Sequence, residues 1–208
     1  MRLFGFTIQA SIAATAAIAT NSDAGIIAFT QKIVWDAFTN TQGAGRSVET
    51  FDAYSGFYPS PLTGTSGGVT WSAGASGGLY VGVAGGSSSL STNNPGALTI
   101  DLSGAAVRGV GANVFGTDID FNVVPSVVQV TLADGTNYFA SVSTASNYMA
   151  FWSTSAAITS ITFGASAPAG QTNTVYPTVD NLTFAVIPGP ATCLILVAAG
   201  ACSRRRRA

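Results

Sequence analysis

Two pairs of acidic residues have a spacing that could support hydrolytic chemistry. Asp118 and Asp120 are two positions apart, so they would share one face of a strand, and Glu49 and Asp52 form a second close pair. A glycoside hydrolase needs two carboxylates set across a cleft. Both pairs are therefore candidates, although the sequence around Asp118 is also typical of a turn with solvated acids.

Histidine is absent from the chain. Its absence removes the commonest general base, the commonest metal ligand and the Ser-His and Cys-His nucleophile systems. We therefore expect a protein that is not an enzyme. The alternative is a hydrolase that acts on extracellular polysaccharide through its paired carboxylates.

Aromatic residues offer a different chemistry, because their flat faces could stack on sugar rings. Tyr54, Phe57 and Tyr58 are flanked by Gly56 and Pro59, which predicts an exposed loop. We expect these three residues to bind a ligand such as a glycan, or else to cap the end of the domain. Further stacking candidates are Trp71, Tyr80, Tyr138, Tyr148, Trp152 and Tyr176.

Composition limits the class of protein. The chain has 208 residues, enough for one domain with a substantial core. Only 8% of the residues are charged, against about 25% in an ordinary soluble domain. Residues 25–187 contain three basic and eight acidic side chains, so we expect no nucleic-acid partner.

The central part of the chain has the pattern of an antiparallel β-sandwich with one short helix near its N-terminal end. Apolar residues at helical spacing predict a helix over residues 30–40, with Thr30 as its N-cap and Trp35 in the core. Phe163 is expected in the core as well. About nine or ten strands follow, and the Asp134-Gly135 pair predicts a hairpin turn. Strands are predicted at residues 48–52, 69–72, 79–83, 98–102, 106–115, 128–132, 138–143, 148–152, 158–163 and 182–186.

Glycine and serine clusters separate several of these strands. Residues 66–68, 76–78 and 85–89 are predicted to be loops. None of the clusters opens a helix after a strand, so a phosphate-binding loop is not expected.

The N-terminus resembles a secretory signal peptide over residues 1–24. Arg2 precedes a mild apolar stretch from Leu3 to Ala19, and small residues then offer cleavage sites near Ala19 or Ala24. This segment predicts export through the Sec translocon.

The C-terminus, residues 188–208, has three parts. A Pro188-Gly189-Pro190 tripeptide precedes an apolar stretch that is predicted to be a tail helix. The stretch is shorter than the roughly 20 residues of a comfortable membrane span, which favours a transient anchor. The final part is a run of arginines that would stay on the cytoplasmic side of the membrane, Arg204, Arg205, Arg206 and Arg207.

This three-part tail resembles the PEP-CTERM sorting signal of exported bacterial proteins. The resemblance implies that an exosortase-type enzyme recognises the tail, and that the sorting motif consists of the proline tripeptide and the four arginines. Gly189 stands where the family usually has Glu. This departure puts cleavage of the tail in doubt, and it affects the sorting prediction less.

The central part is similar to the β-sandwich of many PEP-CTERM proteins and to jelly-roll carbohydrate-binding modules. By analogy with such modules, the first and last strands would lie side by side and bring Glu49, Asp52 and Asp180 together. Calcium, which takes oxygen ligands, is the cofactor this would imply. The alternative is that these are surface and turn residues. The segments that carry the resemblance are residues 29–38, 49–52, 67–71, 132–136, 158–163 and 179–184.

Together these features predict an exported protein of the cell envelope or extracellular matrix. It would consist of a signal peptide (1–24), a jelly-roll-like β-sandwich (25–187) and a sorting tail (188–208). Its expected partners are the translocon, an exosortase, the membrane through its tail, and extracellular polysaccharide as a candidate ligand.

Overall fold

The computed structural model describes residues 25–188. The predicted signal peptide and the sorting tail from Gly189 onward, including its tail helix, lie outside the described residues. The elements in chain order are β1 Ile26–Phe29, α1 Lys32–Thr41, β2 Gly45–Glu49, β3 Gly56–Tyr58, β4 Leu62–Ser66, β5 Val69–Gly74, β6 Leu79–Ala84, β7 Ser87–Thr92, β8 Leu98–Gly104, β9 Val107–Thr117, β10 Val123–Val124, β11 Ser126–Leu132, β12 Asn137–Val142, β13 Tyr148–Ser153, β14 Ser160–Ser166 and β15 Tyr176–Val186.

Two antiparallel sheets form a sandwich, as the strand pattern predicts. The larger sheet has nine strands in the order β1-β13-β9-β15-β7-β6-β3, with β10 added beside β9 and β2 beside β15. The smaller sheet has six strands in the order β12-β11-β14-β8-β5-β4. The all-β class with one helix in the described part of the chain is therefore confirmed.

The core lies between the sheets because their strands alternate in polarity. In β8, Leu98, Ile100 and Leu102 are buried, and in β11 Val128 and Val130 are buried. These residues meet apolar side chains of the larger sheet in one continuous cluster. A two-residue period puts every second side chain on the core face, which is the origin of this arrangement.

Helix α1 covers part of the outer face of the larger sheet. Trp35 is fully buried there, with its ring centroid 5.4 Å from Phe29 and 6.3 Å from Trp152. Gly109 on β9 leaves the space for the two tryptophan rings, since a Cβ there would lie 2.2 Å from the Trp35 ring and 2.9 Å from that of Trp152. The helix thus adds a small aromatic cluster to the sandwich.

Several details of the predicted elements are wrong, including the strand count, since the described residues form fifteen strands rather than nine or ten. The helix begins at Lys32, and its N-cap is Gln31 rather than Thr30, with no side-chain capping hydrogen bond. The cluster at residues 85–89 is not a loop: only Gly85 and Gly86 turn, with φ of 62° and 94°, and the serines form β7. Two hydroxyls of β7 donate to β15, Ser87 to the Asp180 carboxylate and Ser91 to the Pro177 carbonyl, so a serine-rich segment can be a strand in the middle of a sheet.

The predicted hairpin is present. Gly135 has φ of 84° and connects β11 to β12. Among residues 25–188 no helix is long and apolar enough to cross a membrane.

Candidate functional site

A groove of about 360 Å³ lies on the outer side of the larger sheet. One wall is formed by β6, β7 and the start of β15, and the other by the turn after β9. Its lining combines aromatic rings, hydroxyls, an amide and two carboxylates: Tyr80, Ser91, Thr92, Asn93, Asp118, Ile119, Asp120, Phe121 and Tyr176.

Strand alternation directs the aromatic ring of β6 into the groove. Leu79 and Val81 are buried in the core, so Tyr80 between them faces outward and is 39% exposed. Phe121 lies over Gly82, whose Cβ would be 3.0 Å from that ring, and its centroid is 5.5 Å from that of Tyr80. The two rings form an aromatic wall that continues to the edge of the sheet.

Asp118 builds the turn that carries Phe121. Its Oδ1 accepts hydrogen bonds from the backbone N–H groups of Asp120 and Asn122, both at 2.9 Å. The Asn122 amide donates to Oδ2 at 3.0 Å. These hydrogen bonds, that of the Asn122 side chain first, hold the pKa of Asp118 below its ordinary value. Asp118 is therefore a charged structural residue, and the turn places Phe121 in the left-handed region at φ of 64°.

Asp120 differs from Asp118. Its side chain is exposed and makes no hydrogen bond to any residue between 25 and 188. One carboxylate of the pair is therefore held by the protein, while the other faces the groove with its oxygens open to a ligand or to water.

Hydroxyls from three strands meet beside the groove. Thr117 and Thr178 share a hydrogen bond of 2.9 Å, and Thr178 donates to Ser91 at 3.0 Å. The Ser91 hydroxyl donates to the Pro177 carbonyl at 3.1 Å. Thr92 is only 3% exposed, and its Oγ1 has no hydrogen-bond partner among the described residues. Thr92 pairs in register with Leu79, so its side chain lies on the core face of β7 and its hydroxyl is not accessible from the groove.

The predicted aromatic loop is wrong in part, because Phe57 and Tyr58 belong to strand β3 and only Tyr54 lies outside a strand. Tyr54 and Tyr58 pack edge to face at 5.9 Å, and Tyr54 makes the same kind of contact with Trp71. Phe57 is 55% exposed and is paired in register with Tyr80 across β3 and β6. Of the three predicted ligand residues, Phe57 alone extends the aromatic wall, while Tyr54 and Tyr58 close the edge of the core.

The predicted calcium ligands are only partly assembled. The strand that carries Glu49 does pair with the last strand, where Glu49 lies opposite Leu182. However, the Glu49 carboxylate accepts from the Phe51 backbone N–H at 3.0 Å and from Trp71 Nε1 at 3.1 Å. Both of its oxygens thus have partners within the protein.

Asp180 and Asp52 also take different positions. Asp180 is buried and accepts from the Ser87 hydroxyl and the Asn181 backbone N–H, each at 2.6 Å. Burial raises the pKa of Asp180, and the nearby charge of Asp52, which is exposed, raises it further. Residues 25–188 contain no group of three acidic, histidine or cysteine side chains that could hold a metal ion. The calcium site stays a prediction without a geometry to support it.

Most of the other stacking candidates are core residues. Trp71, Trp152 and Tyr148 are nearly inaccessible, and Tyr138 packs against Phe151 with a centroid distance of 4.6 Å. Tyr80 and Tyr176 line the groove. The expected core positions of Trp35 and Phe163 are confirmed.

Five groove residues were not singled out from the sequence: Ser91, Thr92, Asn93, Ile119 and Phe121. Phe121 follows Asp118-Ile-Asp120 directly, so an aromatic residue within a predicted acidic turn was a usable signal. Thr92 is one of many hydroxyl residues, and nothing local distinguishes it. Its isolation from hydrogen-bond partners depends on the strands around it.

Comparisons with known proteins give few matches. No protein-family model matches the chain. No curated protein matches it either. Among solved structures, the chain is similar to a mutant of CBM29-2, described as a family 29 carbohydrate-binding module. The identity is 14%, the match covers 68% of this chain and 91% of that chain, and the TM-score is 0.34. At this TM-score much of the spatial arrangement differs, so the ligand of that module carries no information about the ligand of this protein.

Proposed function

We propose that this protein binds polysaccharide in the outer groove and does not act as an enzyme. The observation that carries the proposal is the juxtaposition of three aromatic residues with the amide of Asn93 and the exposed carboxylate of Asp120 in one groove; the aromatic residues are Tyr80, Phe121 and Tyr176. Sugar rings have apolar C–H faces and a rim of hydroxyls, so they are recognised by aromatic faces beside polar groups.

The size and openness of the groove suit this type of ligand. Its volume of about 360 Å³ is near the lower end of small-molecule sites, which range from about 300 to about 1,000 Å³. Phe57 continues the aromatic wall beyond it along the sheet edge. This supports binding of a few units within a longer chain.

The carboxylates of the groove argue against hydrolysis. A glycosidase needs one carboxyl group that stays protonated until it donates to the leaving group, which requires a raised pKa. Asp118 has a lowered pKa and is saturated by hydrogen bonds within its own turn. The groove therefore lacks the acid of an acid–base pair at Asp118.

The test is a glycan array followed by titration of the strongest neutral ligand. Replacing Tyr80 by Ala removes half of the aromatic wall, and we expect affinity to fall at least about tenfold. The matched control is Phe139→Ala, which removes a 65% exposed aromatic residue from β12 of the other sheet. Equal losses in both variants, or no glycan bound by the wild type, would contradict the proposal.

We also propose that the protein is exported to the cell envelope or extracellular matrix and sorted by its C-terminus. The support is the sequence: residues 1–24 resemble a signal peptide, and Pro188, Gly189 and Pro190 precede an apolar stretch and four arginines. The proposed partners are the Sec translocon, an exosortase-type enzyme and the membrane. Residues 25–187 would form the exported domain, with the arginines left on the cytoplasmic side.

Fractionation of the native host with intact-mass analysis tests the export proposal. We expect a species that begins near Gly25 and lies outside the cytoplasm. Replacing Arg204, Arg205, Arg206 and Arg207 by Gln should impair sorting, since the change removes the charge that stops transfer. A full-length cytoplasmic protein, with or without the arginines, would exclude this proposal.

A further inference from the structure

Strand β12 is an open edge of the smaller sheet. It pairs with β11 on one side, and no strand among residues 25–188 pairs with its other side. The Leu132 N–H donates to the Thr136 carbonyl at 3.0 Å, which sets the alternation of the ladder that follows. Every second residue from Thr136 onward therefore directs its backbone groups toward β11. The residues between them direct their backbone N–H and C=O groups away from the sheet: Asn137, Phe139 and Ser141.

The other terminal strands of the two sheets are short or covered. β3 has three residues and β1 has four. β4 lies against β2, because the Ser47 hydroxyl donates to the Ser66 carbonyl and the Ser66 hydroxyl donates to the Val48 carbonyl, both at 3.1 Å. β12 has six residues and no comparable cover from a described element.

β12 also lacks the features that usually keep an open edge from pairing. Proteins protect such edges with charged side chains, prolines or bulges. Residues 137–142 contain no charged residue and no proline, and their register with β11 is continuous. The edge is therefore free to accept another strand.

Phe139 lies in the middle of this edge and is 65% exposed. Its neighbour Tyr138 packs against Phe151 with a centroid distance of 4.6 Å, so strand alternation puts the Phe139 ring on the outer face of the sheet. Unpaired backbone groups beside an exposed apolar side chain are what an interface formed by strand addition requires.

The edge is complementary to a second copy of itself. In an antiparallel arrangement about a two-fold axis at Phe139, this residue faces its own copy, and Asn137 faces Ser141 of the second copy. Each facing pair exchanges two backbone hydrogen bonds, so every outward N–H and C=O of these three residues gains a partner. The two Phe139 rings lie on the same face and meet at the axis.

Charge does not oppose this arrangement. The charged residue of the β11–β12 hairpin is Asp134, and the same register directs it toward Thr144 of the second copy rather than toward its own copy. At about 3.3 Å per residue the two Asp134 side chains would be about 30 Å apart. That exceeds the Debye length of about 10 Å in 0.1 M salt.

From this geometry we infer that two copies of the chain associate through β12, which joins their smaller sheets into one continuous sheet with the two Phe139 rings in contact. The partner is a second copy because the three outward residues match themselves in hydrogen bonding, in shape and in their lack of charge.

The arrangement has a consequence for the outer groove. The two-fold axis of such a pair is perpendicular to the sheets, so the grooves of both copies face the same side of the dimer. Given the proposed polysaccharide binding, on which this consequence alone rests, two grooves could engage one polysaccharide layer together. A short soluble oligosaccharide would still bind each groove separately.

Sedimentation velocity of the full chain over a concentration series tests the association, in a mild detergent because of the apolar tail. We expect a reversible equilibrium between monomer and dimer. Phe139→Lys should weaken it at least about tenfold, since two ammonium groups would meet at the axis. The matched control is Ile33→Lys, which adds the same charge at a 77% exposed position on α1 and should have no effect.

A charge exchange tests whether residue 139 faces its own copy. Phe139→Glu should weaken association as Phe139→Lys does, and a mixture of the two variants should associate at least about tenfold more tightly than either alone. No gain on mixing would overturn the two-fold register at Phe139.

Two further outcomes would overturn the inference itself. A wild-type chain that stays monomeric at about 1 mM would exclude the dimer, since an association weaker than that is negligible. A wild-type dimer that is insensitive to both substitutions of Phe139 would place the contact elsewhere, for example in the tail. No glycan enters these measurements, so failure of the proposed function would leave their results unchanged.

Discussion

Glu49 illustrates how a predicted site residue can have a structural role. Its two carboxylate oxygens accept from different donors, the Phe51 backbone and the Trp71 indole. Phe51 has φ of 59° and is fully buried, and its ring meets Trp71 at 5.7 Å. A left-handed conformation is uncommon for a bulky residue, so the hydrogen bond that the Phe51 N–H donates to Glu49 helps to hold it.

We expect Glu49→Gln to lower the free energy of unfolding by about 1–3 kcal/mol, measured by urea denaturation. Glutamine has one oxygen, so one of the two N–H donors would face an amide that is itself a donor. Asp101→Asn is the control and should stay within about 0.5 kcal/mol of the wild type. A calcium-dependent gain in stability that needs Glu49 would favour the calcium site instead.

Asp180 makes a distinct prediction about pH. Its pKa is raised in the folded protein, mainly by burial, so the folded state holds this proton more tightly than the unfolded chain. The resulting contribution to stability is greatest below the unfolded pKa of about 3.9 and is lost as the pH rises through the higher folded value.

The comparison with Asp180→Asn isolates this contribution. The free energy of unfolding of the wild type minus that of the variant should be highest below about pH 3.9. It should fall as the pH rises through the pKa of Asp180 in the folded protein. Urea denaturation over a pH series measures the difference. A difference that increases with pH would mean that the folded protein stabilises the carboxylate form.

Among the elements, the contact of α1 with the larger sheet depends on β9 having glycines where the helix lies. Gly109 has no side chain to separate Trp35 from Trp152, and its Cβ would lie 2.2 and 2.9 Å from their rings. Both rings are held in a buried cluster that leaves them little freedom to move.

Gly109→Ala is therefore expected to destabilise the protein by about 1–3 kcal/mol through overpacking. The matched control is Gly164→Ala on β14, where the nearest atom would lie 3.8 Å away and the backbone is compatible with alanine. Urea denaturation of both variants provides the test. A neutral Gly109→Ala would show that the helix can shift without cost.

At the scale of the whole molecule, the sheets depend on one another. The main core cluster includes Ile100 and Val130 of the smaller sheet together with Leu90, Val114 and Val179 of the larger one. Each sheet alone would expose half of this apolar surface to water. Neither is expected to be stable without its partner.

A protein restricted to residues 25–188 should therefore unfold in a single cooperative transition. Far-ultraviolet and near-ultraviolet circular dichroism should report the same midpoint, because loss of strands and loss of aromatic packing would coincide. Two separate midpoints would mean that the helix or one sheet unfolds independently, which would contradict a single shared core.

The local sequence was sufficient for the fold class. Alternation in β8 and β11, helical spacing before residue 41 and the Asp134-Gly135 turn each lie within a few residues, so they are visible without knowledge of distant contacts. The same local signals identified Tyr80, Tyr176 and both groove carboxylates as candidates, although separately and for different chemistries.

Tertiary structure decided which of those candidates share a site. Tyr80, Asp120 and Tyr176 are far apart in the chain and meet because β6, β7, β9 and β15 are neighbours in one sheet. Packing of the two sheets buries Trp71, and helix α1 covers Trp152. Residue type and periodicity specify on which face of a strand a side chain lies. Exposure and hydrogen bonding depend instead on the strand or loop that packs on that face, which is distant in the sequence.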